Sequence, residues 1–437
     1  MKKLEGRATI CLLLVLAVIA CLIYFVVRLE VNGPEWAGYY ANSHIFKNGS
    51  LIAGEVTDRD GTTILRYDSD GAHYSADEYE RRANSVLLGD VNYSIPTAVN
   101  VVFRSDLVGY NFVTGTEGIL GSKGGKVTLA IDNEVNNAAY QALGYHDGLV
   151  SVYNYKTGDI ICLVSTPTVD SQDPNGGTNA KSGSYINKVF SARFAPGSTF
   201  KVLTALAALE KLDMDEWTFT CTGSHDLGGN KITCPYAHGT MDFSGALANS
   251  CNCAFGELAV ELGTKTMNKY VKKAGLTKSY DINGIETAAG SFDFDSDPVN
   301  IGWAGIGQYN DQANPLSLMT FMGAIAGGGT TAKPSIIKGG STEFLDLVDP
   351  TSADELDEML RNNVEAKYGD DNYPGLELRA KSGSAETGDG GATNAWFVGY
   401  SGDYAFVVLV EHGGAGADVA GPIANKVLQT IIEQEGR

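Results

Sequence analysis

Positive charge is scarce in this chain. Thirty-two Lys and Arg stand against 52 Asp and Glu, a net charge of -20 over 437 residues, and so acidic a surface repels polyanions, which disfavours nucleic acid as a partner. Cysteine is sparse as well. Its seven residues are irregularly spaced, which argues against a disulfide framework and against a zinc site. Cys221 and Cys234 bracket a Gly-rich polar loop and are the pair best placed for a single disulfide, a closure that stabilises by roughly 3 kcal/mol; two free thiols are the alternative. Nothing in the sequence calls for a metal or an organic cofactor. What the chain does have is an ordinary globular composition, 43% hydrophobic and 9% aromatic, which excludes disorder as its main theme.

An uninterrupted uncharged run covers residues 8–27 and follows Lys2, Lys3 and Arg7. Some twenty helical residues span about 30 Å, one bilayer core. The basic residues ahead of it predict a cytoplasmic N-terminus, with the rest of the chain on the far side of the membrane. A cleaved signal would usually be shorter. Val18-Ile19-Ala20-Cys21 resembles a lipoprotein cleavage box, yet the apolar run continues through Val27, which favours an uncleaved anchor.

The expected organisation is a tail and transmembrane anchor over 1–28, a non-catalytic spacer over 29–147 and a catalytic domain over 148–437. The spacer shows short β-like runs at 50–56 and 62–67 about the turn Asp58-Arg59-Asp60-Gly61, and a strand at 127–131 leading into an amphipathic helix. From Gly148 the character changes. Residues 149–155 and 160–165 read as a hairpin, a polar Gly- and Ser-rich loop covers 170–184, helices are expected at 244–262, 265–274 and 315–326, and strands return near the C-terminus. Helices in the middle with strands at both ends predict an α+β domain.

The chemistry centres on Ala195-Pro196-Gly197-Ser198-Thr199-Phe200-Lys201, followed by an apolar run to Leu209. A Pro-Gly pair followed by an unbroken apolar run is a loop entering a buried helix. Residues three apart share a helical face, so Lys201 comes within reach of the Ser198 hydroxyl as its base, and burial lowers the lysine pKa towards what a base needs. Ser335-Ile336-Ile337-Lys338 has the same spacing but reads as strand. Ser250-Cys251-Asn252 sets a hydroxyl and a carboxamide two residues apart. Lys381-Ser382-Gly383-Ser384 sets an ammonium, hydroxyls and a close-approach glycine on an edge strand, suited to an anionic, peptide-like substrate.

Taken in order, Ser198-Thr199-Phe200-Lys201, Ser250-Cys251-Asn252 and Lys381-Ser382-Gly383 resemble the Ser-x-x-Lys, Ser-x-Asn and Lys-Thr/Ser-Gly motifs of the penicillin-binding transpeptidases, and the anchor and spacer resemble the monofunctional class B members. The resemblance runs from Gly148 to about Leu428, including Gly305-Ile306-Gly307-Gln308 and Trp396-Phe397-Val398-Gly399-Tyr400. It implies the penicillin-binding transpeptidase and serine β-lactamase-like fold, an antiparallel sheet with helices. It also implies peptidoglycan D,D-transpeptidation through a Ser198 acyl-enzyme that β-lactams form too. By position, Lys201 is the base, Ser250 relays a proton to the leaving group, and Asn252 holds the substrate amide. Lys381 and Ser382 bind the terminal carboxylate, and the Ser198 and Ser384 amides form the oxyanion hole. A polytopic membrane glycosyltransferase is the partner such relatives imply. A D,D-carboxypeptidase, a β-lactamase or a non-catalytic β-lactam sensor are the alternatives; no Glu-x-x-Leu-Asn segment of the class A lactamase kind lies between Ser250 and Lys381.

Overall fold

A computed structural model of the chain describes residues 2–39, 41–43, 45–47, 49–116, 124–173, 180–388, 390 and 392–436. The middle of the polar loop expected over 170–184 lies outside the described residues. Helix α1 (Lys2–Ala37) is long and apolar enough to cross a membrane. It overruns the expected 8–27 at both ends: the flanking Lys, Arg and Glu residues are good helix formers, and the helix runs on through Gly33 and Pro34 to Ala37.

A small sheet follows, of β1 (Gly54–Thr57), β2 (Thr63–Asp68), β3 (Gly71–Tyr74) and β4 (Lys126–Thr128), in the order β3-β2-β1-β4. The turn between β1 and β2 is the predicted one: the Asp58 carboxylate accepts the amides of Asp60 and Thr62 at 3.0 and 2.8 Å, closing the loop on itself. Helix α2 (Asn133–Leu143) is capped by Asp132, which accepts from Glu134 and Val135.

The main sheet is antiparallel and five-stranded. It joins the hairpin β5 (Gly148–Asn154) and β6 (Ile160–Thr166) to three late strands, β10 (Arg379–Ala385), β11 (Asn394–Ser401) and β12 (Tyr404–Val410), in the order β10-β11-β12-β5-β6. Its inner strands are buried along almost their whole length, which explains why they read as continuous apolar runs rather than alternating ones.

Both faces are covered. On one, Val150, Val152, Val164 and Val408 pack with Val135, Ala139 and Leu143 of α2 and with Ala424, Val427 and Ile431 of the C-terminal helix (Gly416–Glu435). On the other, Leu149, Leu163, Trp396 and Leu409 join one core with the central helices. These are α3 (Lys201–Lys211), α4 (Phe243–Ala248), α5 (Asn252–Lys273), α6 (Pro298–Ala304), α7 (Pro315–Ala326) and α8 (Pro350–Asn363).

Helix α3 is buried from Lys201 to Ala208. Leu203 and Leu206 alone contribute roughly 1.5–3 kcal/mol each by leaving water, so the helix carrying Lys201 is held by its core and not by its own propensity. The helix expected over 244–262 is broken in two, α4 and α5, at Ser250. The later break expected near residue 264 is a single non-helical residue, Gly263, within α5.

Candidate active site

Ser198 lies in a 3-10 turn (Gly197–Phe200) that runs directly into α3 at Lys201. Side chains three apart eclipse in a 3-10 turn, and the Lys201 Nζ stands 2.9 Å from Ser198 Oγ. The turn is pinned from two sides. The Gly197 amide donates to the Gly307 carbonyl at 2.8 Å. Gly307 has φ 77°, and a Cβ there would sit 2.2 Å from the Gly197 oxygen, so glycine is required by conformation and by space. From the sheet, Trp396 Nε1 donates to the Ala195 carbonyl at 2.9 Å.

Ser250 occupies the position just past the end of α4 with φ 50°. Its amide and that of Cys251 turn back to Leu247 and Ala246, both at 3.0 Å, the reverse pattern of a helix C-terminus that normally places glycine here. A serine in that conformation costs of order 1–3 kcal/mol, which the surrounding structure must offset. The gain is aim. Cys251 caps α5 through Ala254, Asn252 is the first residue of α5, and both motif side chains meet Lys201.

Lys201 Nζ lies 2.7 Å from the Ser250 carbonyl, 2.7 Å from Asn252 Oδ1, 3.1 Å from Ser250 Oγ and 2.9 Å from Ser198 Oγ. Two of these partners are carbonyl oxygens, which only accept. A neutral amine has two hydrogens and one lone pair. The carbonyls take both hydrogens, and the lone pair is left facing the hydroxyls, the arrangement a base needs. Lys201 is fully buried. Burial first, and the nearby Lys381 second, hold its amine well below the ordinary lysine range.

Lys381 is buried as well. Its Nζ donates to Ser250 Oγ at 3.1 Å and to the Ser382 carbonyl at 2.9 Å, and burial pushes its pKa down to about 7. It stands on β10, the edge strand of the main sheet. The Ser382 amide points away from β11, donating to the Tyr368 hydroxyl at 2.7 Å. Strand period therefore turns the Ser384 amide to the same outer edge. Gly383 lets the strand press on the nucleophile turn: a Cβ there would lie 3.0 Å from both the Pro196 carbonyl and Thr199 Cγ2.

All three motifs thus converge, with Ser198, Lys201, Ser250, Asn252 and Lys381 joined by hydrogen bonds. Three details depart from simple expectation. Asn252 already spends its oxygen on Lys201 and one amide hydrogen on the Thr233 carbonyl at 2.8 Å, which leaves one hydrogen for a substrate. The Ser382 hydroxyl accepts from Tyr368 at 2.9 Å. The Ser384 hydroxyl accepts from the Gly416 amide at 3.2 Å. Tyr368 and Thr233 escape sequence reasoning because neither belongs to a motif; Tyr368 closes a short π-helical turn (Val364–Tyr368).

Of the two states the sequence left open for Cys221 and Cys234, the structure has the free thiols. Spacing along the chain, which argued against a zinc site, does not show that the fold gathers Cys221, Cys234, His238 and Cys251 within 4.8 Å of one another.

A buried lysine between two serines, faced by an edge strand bearing a second lysine, defines a serine acyltransferase of the penicillin-recognising kind. The chain belongs to the family of the penicillin binding protein transpeptidase domain, whose model matches residues 148–429. Among curated proteins, it is 26% identical over 375 residues to the peptidoglycan D,D-transpeptidase PbpA of Mycobacterium tuberculosis H37Rv, covering 74% of this chain and 75% of that one. It is 30% identical over 305 residues to penicillin-binding protein 3 of Bacillus subtilis, covering 62% of this chain and 45% of that one. In fold it resembles penicillin-binding protein A from M. tuberculosis in its ceftriaxone acyl-enzyme complex, with TM-score 0.77, 23% identity and coverage of 86% and 97%.

Proposed function

We propose that this class B penicillin-binding protein cross-links peptidoglycan through Ser198. The Ser198 oxygen attacks the penultimate D-Ala carbonyl of a stem peptide, and its proton passes to Lys201. The Ser198 and Ser384 amides receive the oxyanion. Collapse breaks the C–N bond, and the leaving D-Ala nitrogen takes a proton from Ser250, which Lys201 replenishes. An amine from a second stem peptide then attacks the ester, gives up its proton by the same route in reverse, and leaves with a new amide while Ser198 is restored. Lys381 and Ser382 bind the terminal carboxylate, and Asn252 offers its remaining amide hydrogen to the substrate backbone, which lies along the open edge of β10. β-Lactams acylate the same oxygen.

The observation that carries this reading is the buried Lys201 Nζ, 2.7 Å from each of two carbonyl oxygens and 2.9 Å from Ser198 Oγ. The test incubates the protein with a fluorescent penicillin and reads adduct site and lifetime by mass spectrometry, followed by cross-linking of a stem-peptide pair. A long-lived adduct on Ser198, absent in Ser198→Ala, with cross-linked product, is expected. Absence of any adduct overturns the reading, and rapid turnover of the adduct points to a lactamase.

The same proposal assigns α1 as a single-pass anchor with residues beyond it outside the cytoplasm, in keeping with the basic residues that precede the apolar run. Residues 29–147 act as spacer, since no motif residue comes from them, and 148–437 form the catalytic domain, with α2 packed on its sheet. A polytopic membrane glycosyltransferase is the partner expected by family resemblance.

A further inference from the structure

We propose that Cys221, Cys234, His238 and Cys251 form a tetrahedral zinc site that staples the turn carrying Ser250 and Asn252. The four residues come from separate places: the end of β7 (Thr218–Cys221), the residue after β8 (Lys231–Thr233), the residue before β9 (Gly239–Asp242), and the cap of α5. Cys221 and His238 are brought together because β9 pairs with β7, Gly239 opposite Cys221.

The spacings suit one ion. Two sulfurs each about 2.3 Å from zinc at the tetrahedral angle lie roughly 3.8 Å apart, and a sulfur and an imidazole nitrogen roughly 3.6 Å apart. Cys234 Sγ and Cys251 Sγ are 3.7 Å apart, and His238 Nδ1 and Cys221 Sγ are 3.4 Å apart. Three thiolates and an imidazole select zinc among the common divalent ions.

The surroundings are also those of thiolates. The Cys253 amide donates to Cys234 Sγ and the Ala254 amide to Cys251 Sγ, both at 3.4 Å. The second of these comes from the first turn of the 22-residue helix α5, where anionic sulfur is favoured. Cys253 Sγ also lies 3.5 Å from Cys234 Sγ, but it falls outside the group of four whose ligand atoms are all within 4.8 Å of one another, and its thiol donates to the Ile232 carbonyl at 3.6 Å. Binding releases the three thiol protons and leaves a site with one net negative charge.

Position gives the site its purpose. Cys251 lies between Ser250 and Asn252. Cys234 follows Thr233, whose carbonyl accepts from Asn252 Nδ2. An ion bound to both sulfurs fixes both ends of the hydrogen bond that aims the Asn252 carboxamide at Lys201. The residue between the two motif side chains is thus a ligand.

The full-length protein, purified in detergent without chelator, should carry one zinc per chain by elemental analysis. Cys234→Ser and His238→Ala should lose it, and Cys162→Ser, whose thiol lies in β6, should keep it. Cobalt added to the reduced, metal-stripped wild type should give the absorption of a tetrahedral thiolate site, a measurement that needs no variant to fold. Withdrawal of zinc should slow fluorescent-penicillin acylation by about 10–100-fold, the range seen when support around a site is lost, and added zinc should restore it.

Well under one metal per chain together with no cobalt spectrum overturns the site. So does a Cys234–Cys251 disulfide found by alkylation without reduction. Zinc present but without effect on acylation overturns the stapling role. Only the acylation readout rests on the proposed Ser198 chemistry: zinc bound to a protein that forms no penicillin adduct leaves this site standing and refutes that chemistry instead.

Discussion

Replacing Asn252 by Asp exchanges one amide nitrogen for oxygen, which gives up the hydrogen bond to the Thr233 carbonyl, and it should raise the pH that Lys201 needs to act as a base. The wild-type Asn252 Oδ1 accepts from Lys201 Nζ at 2.7 Å. A unit negative charge at that distance attracts an ammonium by about 6 kcal/mol at an effective dielectric of about 20. Desolvation of the carboxylate cancels much of this, and opposite charges in contact typically leave a shift of about 1–3 pKa units. The sign follows from the resting state. Burial holds Lys201 below its ordinary value, so the neutral, competent amine is present above that lowered pKa, and acylation rises with pH through it to a plateau. In Asn252→Asp that rising limb should move to higher pH, with acylation at a fixed pH on the limb about 10- to 1000-fold slower and recovery as pH is raised. The assay is the second-order rate of fluorescent-penicillin acylation across pH, with thermal unfolding as a check on the fold. A rate reduced by one factor at every pH refutes the argument, and so does a rising limb that stays at its wild-type pH.

Two other substitutions probe the frame around the site. Tyr368→Phe removes the hydroxyl that binds the Ser382 amide and hydroxyl; the orphaned groups should cost about 1–3 kcal/mol in denaturant unfolding, and an unmoved midpoint would show that the tyrosine does not hold β10. Gly307→Ala places a Cβ in the Gly197 carbonyl and should displace the Ser198 turn, lowering acylation by about 100-fold; acylation at the wild-type rate would mean that the turn is not seated on Gly307.

How much of this was legible beforehand depended on whether a feature is local. The hairpin of β5 and β6, the Asp58 turn and α7 were all readable, because each declares itself through turn residues or an apolar run bounded by breakers. Helix α7 spans the expected 315–326, with Asn314 capping Ser317 and Gly327 ending it. The Ser198 and Lys201 pair was readable because three-residue spacing is itself a geometry. Ser250 was harder. An expected continuous helix hid the break on which its orientation depends, since serine gives no warning of a left-handed backbone. Tyr368 left no signal at all, because its partner lies 14 positions on. The thiols gave no sign for the same reason: Cys234 and Cys251 are 17 positions apart, as are Cys221 and His238, and only strand pairing in the second case and the seating of Cys234 on the start of α5 in the first make them neighbours.

The carbonyls that grip Lys201 also constrain traffic through it. An ammonium there has three hydrogens, two of them tethered, so a single one is mobile and two serine oxygens share it. In the proposed reaction the amine works as a turnstile, admitting one proton only as one departs, and it has no preferred direction. Making an amide and breaking one are equally open to such a device. Which of them occurs is decided by the nucleophile that reaches the ester, and the lysine has no vote.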